Sequence, residues 1–282
     1  MVAPLTKYEF NKMRDLIVHV CGIAVDDDKD YLVETRLTSL AQELGAESFG
    51  DLHRIAVARS DEIVPRIIDL MTTNETFWFR DENTWDALEH KILPELFDLI
   101  SKRPYPVRIW SMAASTGQEP YSLAMLIEEI AEKRGQSYAI DQFKILATDI
   151  SKSVLFIARA GKYNKFAMGR GMSDTRRNRF FEENPNYWKI RDTIKNRVMF
   201  QEYNLLDAFS SLGSFDMILC RNVAIYFPQH IKKDMFKKIA RTLQPDSGIL
   251  ILGSAESLVG YSEDYITMEY GNAVYYKVNK TR

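Results

Sequence analysis

Between Val107 and Leu126 the chain passes from an apolar run (Val107, Ile109, Trp110) through small residues, Ala113 to Gly117, into a helical pattern that opens beside Pro120. A strand that hands over to a helix across so few residues points to layered α/β structure, in which helices cover a sheet. The small residues let a ligand approach the backbone, Pro120 suits a first helical turn, and helix-start amides face whatever is bound. The stretch holds one glycine where a dinucleotide fingerprint has three, so alone it equally describes an ordinary strand–turn–helix corner.

The next strand narrows the reading. Phe143 to Thr148 runs apolar into Asp149, and a carboxylate at the carboxyl end of a second strand is placed to accept both ribose hydroxyls of a nucleoside. The interval from Gly117 is about 30 residues against the usual ~20, and a longer first helix, Tyr121 to Lys133, accounts for the excess. Further strands are expected at Val107–Ser111, Val198–Tyr203, Phe215–Cys220 and Gly248–Gly253, alternating with helices. Tyr265 to Val278 gives two alternating runs around Gly271-Asn272, a hairpin signal. The expected fold class is α/β: a Rossmann-like, S-adenosylmethionine-dependent methyltransferase sheet, with that cofactor favoured over NAD by the antiparallel ending.

Residues 1–72 are expected to form a small all-helical domain ahead of the methyltransferase domain, 73–282. Thr6 and Glu9 make a capping box, followed by a Phe10, Met13, Ile17, Val20 stripe. A second helix carries Leu37, Leu40, Ala41 and Leu44 and stops at Gly45, Ser48 and Asp51 open a third, and Ile63 to Leu70 forms a fourth with Pro65 in its first turn. Thr72 to Arg80 mixes polar groups with three adjacent aromatics that must be buried; Trp78 and Phe79 read as packing. A helix through Trp85, Leu88, Ile92 and Leu93 restarts at Pro94.

One insertion, 162–197, breaks the alternation with a helical piece, Ser173 to Phe181, and a small strand pair involving Tyr187 to Arg191. It holds ten basic against four acidic side chains, while the whole chain carries a net charge of -2. Such a run is either a solvated face or a docking surface for an acidic partner.

Cys21 and Cys220 are isolated, and His19, His53, His90 and His230 are scattered, so no metal site is expected and a reducing, cytoplasmic setting is. No targeting signal is read at either end, and no run approaches the roughly 18 apolar residues of a membrane span. The charge balance argues against bulk nucleic-acid binding.

Six motifs occur in order: Asn74 to Arg80 (NETFWFR), Ser115 to Ser122 (STGQEPYS), Ala147 to Ile150 (ATDI), Ala158 to Tyr163 (ARAGKY), Asn204 to Leu206 (NLL) and Cys220 to Phe227 (CRNVAIYF). Together with the helical segment in front, they make the chain resemble the CheR-type chemoreceptor methyltransferases over nearly its whole length. The resemblance implies methyl transfer from S-adenosylmethionine to glutamate side chains on the cytoplasmic helical bundle of membrane-array chemoreceptors. It implies cofactor contacts at Asn74, Thr76, Arg80, Glu119, Asp149, Asn204, Leu205, Arg221 and Asn222, with Arg80 and Tyr226 at the reacting centre. Glu119 suits the methionine ammonium, Asp149 the ribose, and Asn204 with Leu205 the adenine; Arg221 and Asn222 also read as caps after a buried strand. Gln118 stands where an acid is common in the family, with Glu119 beside it to keep the contact.

A glutamate substrate is ionised at neutral pH, so no general base is needed and a missing catalytic histidine is expected. Family members that tether to a receptor's terminal pentapeptide carry a longer, glycine-bearing loop; Glu182 to Tyr187 is short and lacks glycine, implying independence of a tether. A monomer is expected. Two other readings stay open: a methyltransferase acting on RNA or a small molecule, and a non-catalytic adaptor that docks through its helices.

Overall fold

The computed structural model describes residues 2–245 and 247–279. Four helices come first, α1 (Lys7–Cys21), α2 (Asp30–Glu43), α3 (Phe49–Ala58) and α4 (Ser60–Met71), packed round an apolar cluster of their own. The α1 capping box is present, and Gly22 ends the helix in the left-handed region (φ 76°). Phe10, Met13 and Ile17 are fully buried. Val20, predicted on the same stripe, is half-buried, since it borders a surface depression with Leu16, Ala56 and Val57 while packing against the cluster's edge. Ser48 caps α3 through the Asp51 amide.

The α4 boundary corrects the sequence reading. The helix starts at Ser60, so Pro65 lies inside it and not in its first turn. Asp61 and Glu62 at its start complement the helix dipole, and burial of Ile63, Ile67, Ile68 and Met71 holds the helix through the one internal bond that Pro65 cannot make. Next come α5 (Glu82–Ala87), a π-helical turn (Leu88–Ile92) and α6 (Leu93–Ile100). The Leu93 amide reaches back five residues to the Leu88 carbonyl. The wide turn sits where Pro94 interrupts regular bonding, the restart that its ring requires.

The remaining elements are β1 (Val107–Met112), α7 (Gln118–Lys133), β2 (Phe143–Asp149), α8 (Lys152–Ala160), β3 (Lys162–Tyr163), α9 (Lys165–Met168), α10 (Asp174–Phe180), β4 (Phe181–Glu183), β5 (Trp188–Ile190), α11 (Asp192–Lys195), β6 (Val198–Glu202), β7 (Met217–Cys220), α12 (Gln229–Thr242), β8 (Ile249–Leu252), β9 (Tyr265–Tyr270) and β10 (Ala273–Val278). The large sheet has the order β6-β2-β1-β7-β8-β10-β9, parallel except where β10 meets β8 and β9. Side chains alternate along β1, so Val107 and Ile109 join one apolar layer while Trp110 and Met112 join the other. The fourth main strand begins at Met217, two residues later than predicted. Phe215 makes only a bridge to Leu243. Strand order reverses beside β1, which opens a crevice beyond the carboxyl ends of β1 and β7.

The insertion folds as a three-stranded antiparallel sheet, β3-β5-β4, not a strand pair. β3 has only two residues, too few for alternation to register. Part of the insertion's positive charge is spent internally against α7. Arg176 pairs with Glu129 (2.8 Å), Arg179 with Glu128 (3.5 Å) and Glu132, and Arg197 with Glu128 (3.7 Å).

Candidate active site

A cleft of about 970 Å³ opens at the crevice, and Asn74, Thr76, Arg80, Glu119, Asp149, Asn204, Leu205, Arg221, Asn222 and Tyr226 all line it. The backbone there is held in uncommon conformations. Of the five non-glycine residues with positive φ among the described residues, Ala113 (50°), Ser115 (49°) and Asn222 (57°) line the cleft, and Phe79 and Asp81 flank Arg80. Such residues persist only where their surroundings over-determine them, and they gather at functional sites. Gly117 (φ 93°) adds the close approach, since a Cβ there would meet Ala158, Tyr121 and Tyr163 at 3.1–3.2 Å.

Asp149 ends β2 at 6% exposure, with its oxygens accepting from the Ser115 amide (2.8 Å) and the Ser151 amide (3.0 Å). Burial pushes its carboxyl above the ordinary range, although these amides favour the charged form. A carboxylate has about four acceptor sites, so Asp149 keeps acceptor capacity for a ligand beyond these amides. Glu119, in the first turn of α7, accepts from Ser111 Oγ (2.8 Å) and Arg221 Nη1 (2.7 Å). Arg221, 5% exposed, also donates to the Arg80 carbonyl (2.6 Å) and to Asp81 Oδ2 (2.9 Å). Its Nε is buried without a partner.

Two groups in the cleft are uncommitted. The Arg80 guanidinium makes one long bond to the Glu75 carbonyl (3.4 Å) and lies over the Phe77 ring (5.3 Å), with no carboxylate in ion-pair distance among the described residues. The Tyr226 backbone is fixed by bonds to Val223 and Ala24, while no described residue bonds its hydroxyl. The Asn204 amide, by contrast, is already engaged, giving to the Val20 carbonyl (2.8 Å) and accepting from the Leu206 amide (3.0 Å). It joins α1 to the loop after β6, while Leu205 presents apolar surface. Asn74 is anchored through its carbonyl, which accepts from Ser115 Oγ (2.8 Å). Gln118 turns away to Thr116 and does not line the cleft.

The sequence reading missed four residues that hold this arrangement: Asp81, Ser111, Ser115 and Glu256. Glu256 accepts from the amides of Asn222 (2.6 Å), Gly253 (2.8 Å) and Ile225 (3.3 Å), tying the loop after β8 to the one that carries Tyr226. Trp78 is fully buried, edge-on to Tyr163 and Phe181, and Phe79 packs on Trp85, as expected of packing residues. Cys21 borders the cleft, but burial pushes its thiol up to about 11, so it is not a nucleophile at neutral pH. No group of metal-ligating side chains occurs among the described residues.

Two family models match this chain: the CheR methyltransferase all-alpha domain over residues 8–72, and the CheR methyltransferase SAM binding domain over residues 74–274. The chain belongs to the CheR methyltransferase family. It is 40% identical over 270 residues to the chemotaxis protein methyltransferase 1 of Pseudomonas aeruginosa, covering 95% of this chain and 97% of that one. Against the Vibrio cholerae chemotaxis protein methyltransferase 1 it is 42% identical over 260 residues, 92% of each chain. As a CheR methyltransferase it is an S-adenosylmethionine-dependent enzyme of chemotaxis, and its donor set fits that cofactor. Asp149 keeps acceptor capacity for a diol, Glu119 is a carboxylate at a helix start, and Arg221, which lines the same cleft, has a buried Nε without a partner.

Proposed function

We propose that this chain methylates glutamate side-chain carboxylates on the cytoplasmic helical bundle of membrane-array chemoreceptors, forming methyl esters, and that it acts as a monomer without a pentapeptide tether. One observation carries the reading: Arg80 and Tyr226 stand uncommitted in the cofactor cleft, a planar fork and a hydroxyl suited to an incoming carboxylate. We divide the chain at 72/73, with 162–197 inserted.

The bound cofactor supplies a methyl group on a sulfonium. Asp149 holds the ribose, Glu119 the methionine ammonium, and Leu205 with the loop at Asn204 the adenine, while Asn74, Thr76 and Asn222 complete the walls. Arg221 acts mainly by fixing Glu119 and Asp81. The substrate carboxylate has an ordinary pKa of about 4.3, so it arrives ionised and needs no base; the cleft lining contains no histidine among the described residues. Arg80 and Tyr226 aim it, and Phe77, Trp85 and Phe227 keep water out. Short β4–β5 connectivity supports tether independence, since the Asn184 amide closes directly onto the Tyr187 carbonyl (2.9 Å). The neutralised arginines against α7 weaken the RNA reading.

Transfer of radiolabelled methyl to receptor-containing membranes tests the function. Base-labile label on receptor is expected, with turnover reduced on the order of tenfold or more in Arg80→Ala and Tyr226→Phe. Base-stable label, label on RNA, or wild-type turnover in both variants overturns it. Titration with a receptor tail peptide is expected to show no saturable binding; saturation overturns tether independence.

A further inference from the structure

Phe166 projects from α9 at 74% exposure, although its neighbour Met168 is buried and the Asn164 side chain caps the turn through the Ala167 amide (2.9 Å). A single exposed aromatic is ordinary on a protein surface, so its meaning rests on what surrounds it. Its position gives it an address. The Arg170 guanidinium lies 5.7 Å from the Phe166 ring centre and 5.1 Å from that of Phe77, and the Arg80 guanidinium lies 5.3 Å from the same Phe77 ring centre. Ring and guanidinium therefore alternate from the insertion into the cleft, Phe166, Arg170, Phe77, Arg80. The row is fixed by backbone contact: the Trp78 amide donates to the Arg170 carbonyl (3.2 Å), and Gly171 (φ 82°) lies so close to the Trp78 carbonyl that a Cβ would reach within 1.9 Å of its oxygen.

Charge selects the partner. Glu75 already answers Arg170 (2.7 Å), but Arg80, Lys162 and Lys165 have no carboxylate within ion-pair distance among the described residues. The insertion thus spends Arg176, Arg179 and Arg197 on α7, while Lys165 on α9 and Lys162, which lies over the Tyr187 ring (4.9 Å), face no carboxylate among the described residues.

We propose that this row is the docking surface for the substrate helix, an amphipathic, acidic helix whose target glutamate reaches Arg80 while an apolar residue farther along the same face packs on Phe166. The row is at most about three helical turns (~16 Å) long, so that apolar residue stands within about eleven positions of the glutamate. This inference rests on the glutamate reading above and names how that substrate is gripped.

Initial rates of base-labile methyl transfer as a function of receptor concentration test it, with S-adenosylhomocysteine affinity measured in parallel. Phe166→Ser is expected to raise the receptor KM about fivefold or more, with kcat and S-adenosylhomocysteine affinity unchanged; Lys165→Glu raises KM too, most at low salt. Active wild type with an unchanged KM in Phe166→Ser overturns the docking row alone. A wild type that leaves no base-labile label on receptors overturns the glutamate reading and the row with it.

Discussion

At Asp149, burial and hydrogen bonding pull in opposite directions. Desolvation raises its carboxyl pKa while the Ser115 and Ser151 amides favour the anion. In the free enzyme the folded state therefore takes up a proton at higher pH than the unfolded chain, whose Asp titrates near about 3.9. Ribose hydroxyls donate to the carboxylate and stabilise its charged form. S-adenosylhomocysteine affinity should thus fall as pH drops from neutrality through the raised pKa, and calorimetry on Asp149→Asn should show a flatter profile in that window. An equally steep profile in Asp149→Asn breaks the ribose assignment. Asp149→Ala should weaken binding roughly tenfold or more, the scale of hydrogen bonds to a charged group, about 1.5–3 kcal/mol. An unchanged affinity would contradict it.

Elements set where these side chains stand, and one glycine is critical to their docking. Gly171 has φ 82° and packs its Cα on the Trp78 carbonyl, so Gly171→Ala combines backbone strain with a clash. A loss on the order of 2–4 kcal/mol is expected, read as a lower denaturant midpoint; an unshifted midpoint shows that the insertion is not clamped there. Sequence periodicity located the five main strands within about two residues, four of them because buried parallel strands are near-continuous apolar runs. It failed at Pro65, where acidic residues three or four positions earlier had already started the helix, and at β3, where two residues carry no period. The ten residues named from the motifs all line the cleft. Asp81, Ser111, Ser115 and Glu256 were not legible in the sequence, because their partners lie in other elements and left-handed Ala113 and Ser115 have no sequence signature.

Over the whole molecule, the helical segment forms one wall of the cleft. The Ala24 amide donates to the Tyr226 carbonyl (2.8 Å), Val20 accepts from Asn204, and Cys21 and Ile23 line the cavity. Ligand binding should therefore tighten both parts at once. In hydrogen exchange, S-adenosylhomocysteine is expected to slow the Ala24 amide together with the amides of Ser115 and Ser151; protection at the last two alone would mean that the helices only rest beside the site. Charge is also shared between elements, with acidic α7 neutralising Arg176, Arg179 and Arg197 of the basic insertion.

Tandem mass spectrometry of receptor incubated with enzyme and S-adenosylmethionine is the most direct measurement. The expected result is a methyl group on glutamate side chains, removed by mild alkali and absent with Arg80→Ala. A methyl group on lysine or a terminal amine, stable to alkali, would contradict it.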